Sequence, residues 1–85
     1  GTYITSLPYV INSPGKYILG VDASNFDPST YGVNYAIKIN SSEVTLDGNY
    51  HTLDGVDGSD YGIYIYNSTT VLSNVTVKNL NLSDW

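Results

Sequence analysis

Three carboxylates lie within seven residues in the stretch Asp54-Gly55-Val56-Asp57-Gly58-Ser59-Asp60. The two glycines let such a segment curl, and Ca²⁺ takes about six to eight oxygen ligands. Asp54, Asp57 and Asp60 are therefore the candidate calcium ligands, and Ca²⁺ is the one cofactor the sequence raises. Their spacing departs from the alternate-residue pattern of an EF-hand loop, and the glycine-rich nonapeptide of calcium-binding β-rolls is absent. The same residues also suit a solvated acidic turn, and no metal site is assigned. Asp47, Asp54 and Asp57 are the carboxylates from which an acid–base pair for glycoside hydrolysis would have to come. His51 is the lone imidazole. It closes a Gly-Asn-Tyr-His turn and has no Ser or Cys at a spacing that would make a nucleophile. No residue is given a catalytic role, and the chain is not read as an enzyme.

Four tripeptides fit the N-glycosylation acceptor pattern: Asn40-Ser41-Ser42, Asn67-Ser68-Thr69, Asn74-Val75-Thr76 and Asn81-Leu82-Ser83. Such sites function only on an accessible surface of a secreted protein. A chain rich in Asn, Ser and Thr also makes some of these tripeptides by chance, and Asn74 fits a turn or ladder position equally well. Nine tyrosines stand against one Phe and one Trp. Outward-facing rings offer apolar area with a polar tip, which suits a sugar ring or a protein surface. Tyr64, Tyr66 and Trp85 are the candidates for that contact. Lateral ring-on-ring packing across a sheet is the structural alternative.

The elements that must hold these groups are strands. Ile37 and Ile39 alternate with Lys38, Val44 and Leu46 with Thr45 and Asp47, Ile63 and Ile65 with Tyr64, and Val75 and Val77 with Thr76 and Lys78. Period two over short runs broken by Asn, Gly, Asp and Ser predicts half-buried strands. Tyr9-Val10-Ile11 and Tyr17-Ile18-Leu19 are two further strands, with either Tyr17 and Leu19 or Ile18 facing inward. Residues 22–34 read as an irregular loop. Tyr61-Gly62-Ile63-Tyr64-Ile65 repeats Tyr35-Ala36-Ile37-Lys38-Ile39 after 26 positions, and Val75-Thr76-Val77 repeats Val44-Thr45-Leu46 after 31. A repeat of this period signals stacked units. Stacking sets Ile37 on Ile63, Ile39 on Ile65, Val44 on Val75 and Leu46 on Val77, with Gly48 matched to Asn79 as paired left-handed turn residues.

Composition narrows the partners. Three basic residues against eight acidic ones, a net charge of −5, leave no electrostatic footprint for nucleic acid. No apolar run approaches the ~20 residues that span a bilayer as a helix. There is no cysteine, so no disulfide supports a core that is marginal in a chain this short.

Ser13-Pro14-Gly15-Lys16-Tyr17-Ile18-Leu19, Ile37-Lys38-Ile39, Val44-Thr45-Leu46-Asp47-Gly48-Asn49-Tyr50-His51-Thr52-Leu53-Asp54-Gly55, Tyr61-Gly62-Ile63 and Val75-Thr76-Val77-Lys78-Asn79 carry a resemblance. The chain resembles right-handed parallel β-helices of the pectate-lyase-like superfamily, and within it the repeat-bearing cell-surface proteins of methanogenic archaea. The resemblance implies an all-β fold, a short right-handed parallel β-helix (a solenoid) of two to three coils. It forms a single domain over residues 1–85: an irregular N-terminal segment and loop (1–34), a first repeat coil (35–60) and a second (61–85). Function follows less directly, since one fold hosts many activities. Lyases of that superfamily need a basic residue at the site, and here there is no Arg and Lys16, Lys38 and Lys78 are scattered. No amphipathic helix caps either end of the stack, so self-association head to tail is expected, as a homopolymer. The resulting expectation is a structural subunit of an extracellular filament, sheath or surface layer, glycans included. A carbohydrate-binding or carbohydrate-processing module of a larger secreted β-helix protein is the alternative.

Overall fold

Short runs of three to five residues, most of them alternating apolar and polar, form ten strands among the described residues. The structure, a computed structural model, describes residues 1–58 and 60–85. The strands are β1 (Thr2–Ile4), β2 (Tyr9–Ile11), β3 (Gly15–Leu19), β4 (Ala23–Phe26), β5 (Tyr35–Ile39), β6 (Val44–Asp47), β7 (Thr52–Gly55), β8 (Tyr61–Ile65), β9 (Val75–Lys78) and β10 (Asn81–Ser83). A 3-10 helix spans Pro28–Tyr31. They form three sheets, ordered β1-β3-β6-β9, β2-β5-β8 and β4-β7-β10. Every strand pair is parallel. Consecutive strands never pair with each other. From β3 onward the chain visits the first, third and second sheets in strict rotation.

The pairing register makes columns of like side chains. Ile37 stands on Ile63, Ile39 on Ile65, Val44 on Val75 and Leu46 on Val77, as the repeat predicts. The N-terminal segment extends the same columns. Tyr9 and Ile11 pair with Ile37 and Ile39, Ile4 with Leu19, and Tyr17 with Leu46. Tyr17 and Leu19 face the interior, and Ile18 does not. The core is Ile4, Ile11, Tyr17, Leu19, Ala36, Ile37, Ile39, Val44, Leu46 and Leu53. Burying each large aliphatic side chain contributes about 1.5–3 kcal/mol.

Two sequence expectations need correction. Residues 1–34 are not irregular. β4 pairs with β7 inside the expected loop, with a register shift between Ala23 and Phe26. The 3-10 helix follows it. Asp27 caps that helix, its Oδ1 accepting from Ser29 N at 3.0 Å and Ser29 Oγ at 2.7 Å, and Gly32 ends it at φ 74°. Gly48 is also not in a left-handed conformation. Asn49, Tyr50 and Asn79 take the positive φ values at that corner. Gly48 is needed for another reason: a Cβ there would lie 2.5 Å from the Asn79 carbonyl oxygen and 2.6 Å from Leu80 Cβ.

The two ends differ. Residues 5–8 run from the first sheet directly to the second, omitting the third, so Thr2 recurs at Tyr17 after 15 positions whereas later recurrences take 26 to 31. Leu7 packs against the core there, and Ile4 and Ile11 are fully buried. The side chains at the N-terminal end are thus sheltered, while β1, β2 and β4 are edge strands there. At the other end Ile65 is 47%, Val77 37% and Leu82 50% exposed, although each stands on a fully buried residue, Ile39, Leu46 and Leu53. Removing Leu46 to Ala should therefore destabilise the chain by about 2–5 kcal/mol. Val77→Ala, one rung later in the same column, should cost about 1 kcal/mol or less. Urea denaturation of the two variants measures the difference.

Candidate functional site

Two surfaces carry the groups that the sequence singles out: the outer face of β8, and the exposed rung formed by β8, β9 and β10. Tyr61 and Tyr64 of β8 and Tyr66 just beyond it come together. Tyr61 and Tyr64 stack with ring centroids 4.5 Å apart and planes 15° apart, and Tyr64 and Tyr66 at 5.7 Å and 17°. Lys38, the residue paired with Tyr64 across the sheet, sets its Nζ 5.7 Å from the Tyr64 ring centre. That is within cation–π range. A shallow groove of about 270 Å³ continues this strip, lined by Lys38, Asn40, Tyr66, Asn67 and Ser68. Tyr64 and Tyr66 are thus brought together as expected. Sequence reasoning missed that Tyr61 and Lys38 join them. The 26-residue repeat carried the signal for Lys38, since it places that residue directly beside Tyr64.

Trp85 does not belong to this strip. Its Nε1 donates to the Leu53 carbonyl at 2.9 Å, and the ring packs against the core. A Cβ at Gly55 would lie 2.7 Å from the indole, and one at Gly62 2.9 Å from it. The two glycines make room for the ring to fold over the open end. There it lines a groove of about 490 Å³ with Asp60, Ile63, Leu82 and Asp84.

The carboxylates serve the corners between strands. Asp22 Oδ1 accepts from Thr52 N at 2.8 Å and contacts His51 Nδ1 at 3.1 Å. Asp47 Oδ1 accepts from Asn49 N and from Asn79 Nδ2. Asp54 accepts from Asn25 N through Oδ2 at 3.0 Å and from Ser83 Oγ through Oδ1 at 2.8 Å. Most of these bonds join one turn of the chain to the next. They engage both oxygens of Asp54 and one oxygen each of Asp22 and Asp47. Asp54, Asp57 and Asp60 do not converge, and among the described residues no group of three His, Asp or Glu is placed to hold a metal ion. His51 closes a turn beside Asp22.

The sequon asparagines fall into three kinds. Asn67 accepts at Oδ1 from Thr69 N, Thr69 Oγ1 and Thr70 N, and its Nδ2 donates to the Asn40 carbonyl at 2.9 Å. Asn74 sits at φ 54°, stacked on Glu43 at φ 58°, and its Nδ2 donates to Glu43 Oε1 at 2.7 Å. Both amides already have structural partners. Asn40 is half-buried beneath Asn67, and Asn81 is exposed on β10.

No protein-family model matches this chain, and comparison with curated proteins and with solved structures returned no match.

Hydrogen bonds to their ionised forms hold Asp22, Asp47 and Asp54 below the ordinary carboxylate value of 3.8, with backbone N–H groups of Thr52, Asn49 and Asn25 the leading causes. Asp84 is pushed above 3.8 by the neighbouring Asp54, chiefly because the two share a proton and also because like charges repel. A carboxylate with a lowered folded pKa contributes stability above its unfolded value and loses it as pH falls through the folded one. A raised one acts oppositely, its contribution fading as pH rises. Asp84→Asn should therefore melt at or above the parent temperature at pH 7, and the advantage should vanish by about pH 3. Thermal unfolding followed by circular dichroism across that range is the check.

Proposed function

We propose that this chain is a short right-handed parallel β-helix serving as a structural subunit of an extracellular filament, sheath or surface layer. Three all-parallel sheets visited in rotation support the solenoid reading, and the four sequons support an extracellular setting. One observation carries the structural role. Successive rungs stand on one another in register through parallel strands, with Ile11, Ile39 and Ile65 in one column and Leu46 and Val77 in another, a mode of contact that repeats along one axis. A further copy of the chain, continuing those columns, is the partner this reading expects. Light scattering should show mass rising with protein concentration, and Leu82→Asp should hold the chain monomeric without unfolding it. A chain that stays monomeric from micromolar to millimolar concentration overturns the self-assembling subunit.

A second reading, a carbohydrate-binding module, draws on the tyrosine strip. Tyr64 and Tyr66 form an apolar platform, and Lys38, Asn40 and Asn67 surround it with hydrogen-bonding groups. Calorimetric titration with neutral and acidic oligosaccharides tests it. Binding that Tyr66→Ala weakens about tenfold would favour this reading over the first.

A further inference from the structure

Each of the four sequons sets a hydroxyl two residues after its asparagine, and the fold commits these hydroxyls differently. Ser42 Oγ accepts from Ser73 N at 2.9 Å, and Ser83 Oγ donates to Asp54 Oδ1 at 2.8 Å. Thr76 lies inside β9, paired with Thr45, and Asn74 turns its amide to Glu43 instead. Among the described residues only Thr69 returns its hydroxyl to its own asparagine, with Oγ1 donating to Asn67 Oδ1 at 3.0 Å. Thr69 N and Thr70 N donate to the same oxygen at 2.9 and 3.2 Å.

We infer that Asn67 is the residue of the four that carries an N-linked sugar. The chemistry is a displacement. Asn67 Nδ2 attacks the anomeric carbon of a sugar joined to a polyprenyl pyrophosphate, the donor class of membrane-bound transferases. The N–C bond forms, the C–O bond to pyrophosphate breaks with its electron pair on oxygen, and Nδ2 gives one proton to a base. An amide nitrogen is a poor nucleophile because its lone pair is delocalised onto oxygen. As the proton leaves, negative charge gathers on Oδ1, where three donors already converge. Donors aimed at a developing oxyanion lower the barrier to forming it. Nδ2 carries two hydrogens, and one of them donates to the Asn40 carbonyl at 2.9 Å. The reaction consumes one hydrogen and leaves one for that bond between rungs.

The surroundings suit a sugar as well. Ser68, Thr69 and Thr70 are exposed beside the acceptor. Asn67 shares the groove of about 270 Å³ with Tyr66, Lys38 and Asn40. Tyr66, 48% exposed, offers an aromatic face to the first ring. Asn81 is more exposed than Asn67, so exposure alone would select Asn81. The hydroxyl geometry selects Asn67. The inference rests on the reading above in one respect, the extracellular setting, and is independent of assembly.

The test starts from the unglycosylated chain, its fold checked by circular dichroism. It is incubated with a purified single-subunit oligosaccharyltransferase and a polyprenyl-pyrophosphate-linked sugar. Trypsin, cutting after Lys38 and Lys78, separates Asn81 from the other three sequons. Electron-transfer fragmentation then places the glycan among Asn40, Asn67 and Asn74. Transfer to Asn67 should be at least about tenfold faster than to any other site, the worth of one hydrogen bond to a charged group. Synthetic peptides of residues 64–72 and 71–79 hold the Asn67 and Asn74 sequons without the fold, and they should accept the sugar at comparable rates. Comparable or faster transfer to Asn40, Asn74 or Asn81 in the folded chain overturns the inference. So does an Asn67 that stays bare while its peptide is modified, or a preference already as large between the two peptides. Light scattering of the same samples separates the two claims. A strictly monomeric chain that takes the sugar at Asn67 removes the self-assembling subunit and leaves the acceptor site. A self-associating chain that stays bare there does the reverse.

Discussion

Everything in this molecule depends on aliphatic side chains of one rung landing on aliphatic side chains of the next. A parallel strand pair by itself is weak, and none of the strands exceeds five residues. No disulfide reinforces them. What holds the register is that a slip of one residue would turn Ile37, Ile39, Val44 and Leu46 outward together. The penalty is shared by three sheets at once, because one chain threads all of them in rotation. Ten buried residues suffice as a core for that reason.

The corners meet a different demand. Each must reverse the chain's direction around the core without leaving backbone groups unpaired. Left-handed residues at Asn25, Glu43, Asn49, Tyr50, Asn74 and Asn79 make the bends. Side-chain oxygens of Asp22, Ser42, Asp47 and Asp54 accept hydrogen bonds from one rung away or within the turn. Asp54 and Asp47, which could be taken for reactive carboxylates, are thereby tied to the corners. The chain's remaining chemistry lies on the β8 face and along the open rung, where geometry leaves groups without such partners.

Much of this was legible in the sequence where the two repeats could be laid over each other. The matched columns from Ile37 to Val77 follow from alternation and a common period. Ala23-Ser24-Asn25-Phe26 was not legible, because its strand has no alternation, contains a left-handed Asn25 and pairs across a register shift. The packing of Leu7 against the core near the N-terminus is not legible either, because residues 5–8 are a short irregular crossing with no periodicity to read. Trp85 looked like an outward aromatic. Its inward fold depends on the missing side chains of Gly55 and Gly62, which lie far away in sequence and next to it in space. The Tyr61–Tyr64 stack defeats simple alternation, since the two residues differ in parity along the strand.

The rung-to-rung recurrence varies between 26 and 31 residues while the columns stay in line. All of that elasticity sits in the corners, most visibly in the run from Tyr66 to Asn74 between β8 and β9. The strands act as a fixed chassis, and this bend as an adjustable outlet. Foreign loops or epitopes grafted between Ser68 and Leu72 would change what the surface displays and leave the load borne by the stacked interior untouched.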